Sequence, residues 1–90
     1  MDKDLQRMRW ASRRGMLELD LVLEPYVSNC YANLPEPDRE RYRALMSCED
    51  QQLFGWFLGR ETPDDPELAT MVLAILDFHR SRGSPGGLPG

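Results

Sequence analysis

The chain has 90 residues, with 11 basic groups, 15 acidic groups, a net charge of −4 and two cysteines. A chain of this length forms one domain, with a core too small to enclose a large cofactor cavity and still leave much for stability, so a binding module is expected and a self-sufficient enzyme is not. No run of about twenty apolar residues is present, which excludes insertion in a membrane, and Met1-Asp2-Lys3-Asp4 lacks the basic-then-apolar order of a signal peptide, so a cytoplasmic protein is expected.

Helical periodicity dominates, and nothing alternates apolar and polar residues over the length of a strand. The expected class is all-α, a bundle of about five short helices over residues 1–82 followed by a flexible tail over 83–90. In the first helix, a wheel places Met1, Leu5, Met8 and Ser12 in one sector and Lys3, Arg7, Trp10 and Arg14 opposite. Trp10 therefore points away from the face that can be buried. Two readings of it stand: it rests under snorkelling arginines or folds back on the second helix, or the four residues form a contact stripe, since tryptophan and arginine are enriched in interface hot spots. Charge adds to the second reading. Residues 1–14 carry five basic groups against Asp2 and Asp4, a local charge of +3, whereas the remainder carries −7. The acidic majority repels a phosphate backbone, so no nucleic acid is expected as a partner, and an acidic patch on a protein suits the basic end better.

The segment Arg14-Gly15-Met16-Leu17-Glu18-Leu19-Asp20 follows. Glycine enters the left-handed region without a Cβ penalty, so Gly15 is expected to end the first helix and let the second leave at an angle within a single residue. Arg14 and Glu18 then flank a corner, the carboxylate in a first turn where the helix dipole favours negative charge. The second helix carries Leu19, Leu23, Tyr26, Val27, Cys30, Tyr31 and Leu34 on one face. Pro25 removes an amide and crowds the carbonyl of Leu21, which predicts a kink near Leu21 to Pro25 or two separate pieces.

Leu34-Pro35-Glu36-Pro37 is a break, and the third helix carries Tyr42, Leu45 and Met46 inward. Its charged face, Arg39, Glu40, Arg41 and Arg43, needs no explanation beyond solvent exposure. Asp50 is expected to cap a fourth helix from about Gln51 to Leu58, with Leu53, Phe54 and Phe57 on one face, Trp56 in the core and Gly59 at its end. Asp65-Pro66-Glu67 marks the start of the fifth, which presents Leu68, Met71, Val72, Ile75 and Leu76. His79, Arg80 and Arg82 suit its carboxyl end.

The chemical inventory is sparse. Phosphate-binding glycine loops, nucleophile elbows and HExxH are all missing. Glu18 and Asp20, two apart on a helix, splay to different faces and do not pair for acid and base work. Cys30 and Cys48 lack CxxC spacing and read as plain thiols, and the lone His79 reads as a helix-end or packing residue. No catalytic residue, no bound cofactor and no metal site is therefore expected.

Arg14-Gly15-Met16-Leu17-Glu18 resembles the Arg-Gly-x-x-Glu signature of the succinate dehydrogenase flavinylation factors, the SdhE group of assembly proteins. Arg7 and Trp10 ahead of it, Pro25 with an aromatic after it, the Cys48-Glu49-Asp50 turn and Leu53-Phe54-Gly55-Trp56 agree, so the resemblance spans about residues 3 to 82. It implies a small helical chaperone that binds the flavoprotein subunit of succinate dehydrogenase, with fumarate reductase flavoprotein as a related client, and promotes covalent attachment of FAD to a histidine of that subunit. FAD would be attached to the client and not kept by the factor. Arg7, Trp10, Arg14, Gly15, Glu18 and Asp20 would form the partner-binding surface. The mitochondrial members carry a transit peptide that this sequence lacks, so the bacterial branch fits. An antitoxin-like or inhibitory module gripping another acidic partner through the same stripe is the alternative.

Overall fold

A computed structural model describes residues 2–83. Five α-helices run in the order α1 (Lys3–Ala11), α2 (Leu17–Asn29), α3 (Glu36–Met46), α4 (Asp50–Phe57) and α5 (Pro66–Gly83), with a single 3-10 turn, Tyr31–Asn33, between α2 and α3. The all-α expectation holds. Apart from Gly83, where α5 ends, the expected tail lies outside the described residues.

Local signals place the helix ends. Asp2 caps α1, its carboxylate accepting the Leu5 amide at 3.0 Å, which satisfies one of the free N–H groups of a helix start. Asp65 does the same for the Glu67 amide at 2.9 Å at the head of α5. At α4 the expected cap is displaced by one residue. Glu49 is the N-cap, with its amide donating to Gln52 Oε1 at 3.0 Å, and Asp50 is the first helical residue. Gly59, at φ 76°, turns the chain out of α4 so that the Arg60 amide reaches back to the Gly55 carbonyl at 2.9 Å.

The helix α2 is continuous, with Pro25 inside it, so it is not split. Proline leaves one carbonyl, that of Leu21, without its amide. Leu23, Tyr26 and Val27 are buried on either side of it, and packing of that stripe holds the helix together across the gap.

The core gathers the stripes of all five helices: Met8 from α1, Leu19, Leu23 and Val27 from α2, Tyr42 and Leu45 from α3, Leu53, Trp56 and Phe57 from α4, and Met71, Val72 and Ile75 from α5. α5 packs against both α2 and α3, and α1 packs against the same two helices. Tyr26 stacks on Tyr42 at 5.8 Å between ring centroids and meets the edge of Phe78 at 5.6 Å. Burial pushes the Tyr26 and Tyr31 hydroxyls up to about 12 and raises Tyr42 further still, so all three remain neutral donors at any ordinary pH. Ser12 is the buried polar residue among those described, and it is satisfied: its Oγ donates to the Met8 carbonyl at 2.7 Å and lies 2.5 Å from the Tyr42 hydroxyl. No helix of the described residues is long and apolar enough to cross a membrane.

Candidate functional site: the outer face of α1 and the α1–α2 corner

The expected stripe on α1 faces outward. Lys3, Arg7 and Arg9 are exposed, and Trp10 is 77% exposed, more than any other large hydrophobic residue described. Neither folding back nor cover by arginine stems hides the indole. An open groove of about 730 Å³ runs between α1 and α2, walled by Lys3, Arg7, Arg9, Trp10 and Arg13 on one side and by Glu24 and Ser28 on the other. Arg13 makes a loose 3.7 Å pair with Glu24, both side chains largely in solvent. Lys3, Arg7 and Arg9 have no ion-pair partner among the described residues. Positive potential in a groove with low-dielectric walls is focused, which suits it to anionic groups.

The corner spans residues 12–16, not one residue. α1 ends at Ala11, Ser12 caps it, and Arg13 and Arg14 lie outside any regular element before Gly15 at φ 81°. A Cβ at Gly15 would meet nothing within 4 Å, so its backbone conformation, and not a close neighbour, is what calls for glycine. Met16 then starts α2 without any side-chain cap.

Arg14 is not part of the outward stripe. The wheel that placed it there assumed helix through residue 14, but the helix stops three residues earlier and the side chain swings inward, leaving it 14% exposed. Its guanidinium donates to the carbonyls of Ala11 at 2.9 Å, Met46 at 3.0 Å and Cys48 at 2.8 Å, and Nε donates to Asp50 Oδ1 at 2.7 Å. Ala11 and Met46 end α1 and α3, where carbonyls carry the negative end of the helix dipole, so a cation here is electrostatically matched. Asp20 also works internally: its Oδ1 accepts the Arg14 amide at 2.9 Å. Glu18, in the first turn of α2 just after the corner, is exposed, with no ion-pair partner among the described residues.

Of the six residues expected at the surface, the structure thus presents Arg7, Trp10 and Glu18 outward, and uses Arg14, Gly15 and Asp20 to build the corner between them. Two apolar residues escaped the sequence reading. Leu17 and Leu21 are 69% and 56% exposed on α2, and their signal was available, since both fall off the stripe of Leu19, Leu23 and Tyr26. Leu21 lines a second, shallower groove that shares Glu24 and Ser28 with the first, so the face continues around α2.

The cations of α3 contrast with those of α1. Arg39 reaches Asp2 at 3.1 Å and Asp4 at 3.2 Å and covers the Tyr31 ring at 4.8 Å. Arg43 reaches Asp4 at 2.9 Å and pairs with Glu36, while Arg41 pairs with Asp38 and Glu67. Solvent exposure does not explain this face, because its arginines tie α3 to both ends of the chain. The Tyr31 hydroxyl donates to Asp4 at 2.6 Å, and that bond, with Arg43 and Arg39 behind it, holds the Asp4 carboxyl below the usual aspartate range.

Fold and site together define a small helical protein that presents an exposed cationic and aromatic face, Lys3, Arg7, Arg9 and Trp10, beside the α1–α2 corner. Residues 6–79 match the Sdh5 family, flavinators of succinate dehydrogenase. The chain is 55% identical to the FAD assembly factor SdhE of Pseudomonas putida over 74 residues, which covers 82% of this chain and 88% of that one. Against the FAD assembly factor SdhE of Shewanella oneidensis it is 46% identical over 82 residues, 91% of this chain and 95% of the relative. The chain belongs to the Sdh5 family of flavinators.

Proposed function

We propose that this chain is an assembly factor that binds the flavoprotein subunit of succinate dehydrogenase through the outer face of α1 and the neighbouring corner, and so promotes covalent attachment of FAD to that subunit in the cytoplasm of a bacterium. The fumarate reductase flavoprotein is a second client of the same kind. The observation that supports the reading is the combination of Arg7 and Trp10, exposed, with Glu18, also exposed, across a corner held by Arg14 and Asp20, none of the three charged or aromatic groups having an ion-pair partner among the described residues. A chain that needed these groups for its own stability would bury or pair them.

The factor supplies no bond chemistry in this reading. Client and flavin react with each other, and holding reactants in one arrangement lowers a barrier by up to about 7–11 kcal/mol in favourable cases. By binding one conformer of the subunit more tightly than the others, the factor raises the population in which the flavin and its acceptor side chain are in register. FAD is the client's group, and the acidic remainder of the chain argues against nucleic acid as a partner.

The test is the succinate dehydrogenase flavoprotein produced with and without this chain and run on a denaturing gel. Covalent flavin fluorescence appears only with the factor, and it drops when Arg7→Ala and Trp10→Ala are combined. Equal fluorescence in the absence of the factor removes the reading.

A further inference from the structure

We infer that Asp50, acting through Arg14, is a positioning residue for partner engagement, although it lies on α4, 36 positions along the chain from the arginine it holds, and lines neither groove. The inference rests on the partner-binding role just proposed for the corner. A guanidinium is a rigid planar fork, so its acceptors dictate its orientation. Arg14 has four, drawn from the ends of α1 and α3, the turn after α3 and the start of α4, and only Asp50 among them carries a full charge. Its 2.7 Å contact is in the charge-assisted range.

The next residue along the chain is the pivot. A Cβ at Gly15 would meet nothing within 4 Å, and Met16, although packed against the core, has no side-chain cap, so the first turn of α2 lacks a cap of its own, while farther along Leu19, Leu23 and Val27 seat the helix in the core. That first turn sets where Glu18 stands relative to Arg7 and Trp10, and two anchors on Arg14 act on it from the corner: Asp50 on the side chain and Asp20 on the amide. Without the Asp50 carboxylate, Arg14 keeps its three carbonyls and the helices persist, but the corner samples more orientations. Apparent affinity then falls with the fraction of molecules in the competent one.

Two measurements on the full chain test this. In a dose response of client flavinylation, Asp50→Ala raises the factor concentration for half-maximal labelling by about tenfold, as a fall of the competent fraction to about a tenth does, with the helix content by circular dichroism near wild type. Asp50→Glu, which keeps the carboxylate, recovers most of it. On a Glu18→Ala background the same substitution costs less than about twofold, because the corner no longer has its contact to present. A residue that merely stabilised the fold would give the same factor on both backgrounds, and that result overturns the inference. Amide exchange supplies a readout that needs no client. Exchange of the Arg14 amide speeds up in Asp50→Ala while α5 stays protected, and an unchanged Arg14 amide also overturns the proposal. If wild-type factor gives no flavinylation, the assembly-factor reading falls instead, and the exchange result still decides the role of Asp50.

Discussion

The outer face of α1 and the charged face of α3 look alike in composition, three cations each within nine and eleven residues, yet their surroundings are opposite. On α3 each arginine meets carboxylates contributed by other elements, Asp2 and Asp4 for Arg39, Glu67 for Arg41, Asp4 for Arg43. On α1, Lys3, Arg7 and Arg9 meet none among the described residues. A paired cation contributes little field beyond its partner and serves as a strap, whereas an unpaired row leaves a potential for something outside the molecule to neutralise. On the proposed reading, what separates a strap from a recognition surface is therefore the location of the carboxylates, not of the arginines.

The largest effect expected is at Trp10. Trp10→Ala removes an exposed indole from the centre of the groove wall, and hot-spot tryptophans contribute about 2 kcal/mol or more, a loss of roughly thirtyfold in client affinity. Calorimetric titration of the flavoprotein subunit reads that loss. The melting temperature stays put, because the side chain touches little of its own domain. A fall in stability that matched the fall in affinity would place α1 with α3 as a structural strap and erase the comparison.

Asp4→Asn probes the other face, with an expected cost of about 1–2 kcal/mol in stability at neutral pH, since one carboxylate serves Tyr31, Arg39 and Arg43 and is only partly open to water. Client binding is unaffected. The pH dependence follows from the sign of the shift. A carboxyl held below its unfolded value of about 3.9 contributes fully above that value and loses its contribution as pH falls through the lower native one. The gap in melting temperature between wild type and Asp4→Asn is thus constant from pH 7 to about 5 and closes below about 4. An equally wide gap at pH 2 would mean that shape, not charge, holds Asp4 in place.

Gly15→Ala comes next, at about 1 kcal/mol, because a side chain at φ 81° pays the left-handed penalty without a clash. Helicity by circular dichroism remains, while flavinylation falls further than that loss of stability accounts for. Global unfolding would make the residue structural alone.

How far the sequence foretold all this depends on the range of the interaction concerned. Helix order, the buried stripes and the start of α5 are legible because three-and-four spacing and proline or glycine signals act within a turn or two. The need for glycine at position 15 is legible for the same reason. Arg14 was misplaced because a wheel has no knowledge of where its helix stops, and α1 stops at Ala11. Asp50 was read as a cap because capping is the local use of an aspartate, and its true partner lies 36 residues away. The arginines of α3 look idle for that reason also, since the carboxylates that tie them to other elements come from residues 2, 4 and 67.

Glu24→Ala gives the smallest effect and separates the two faces most cleanly. Glu24 is the one carboxylate on the groove, and its 3.7 Å contact with Arg13 joins two exposed side chains, so its removal changes stability by less than about 0.5 kcal/mol. Truncation frees Arg13 and deepens the positive potential of the groove, and client binding therefore tightens, by about twofold at low salt and less as ionic strength rises and screening shortens to about 10 Å at 0.1 M. The parallel change on α3, Glu36→Ala, leaves Arg43 its pair with Asp4, lies outside the proposed contact face, and is expected to leave affinity as it was. A gain at residue 24 without one at residue 36 assigns recognition to the α1 side. Weaker binding after Glu24→Ala would mean that the client brings cations to the groove, and the direction of charge complementarity argued for this surface would be reversed.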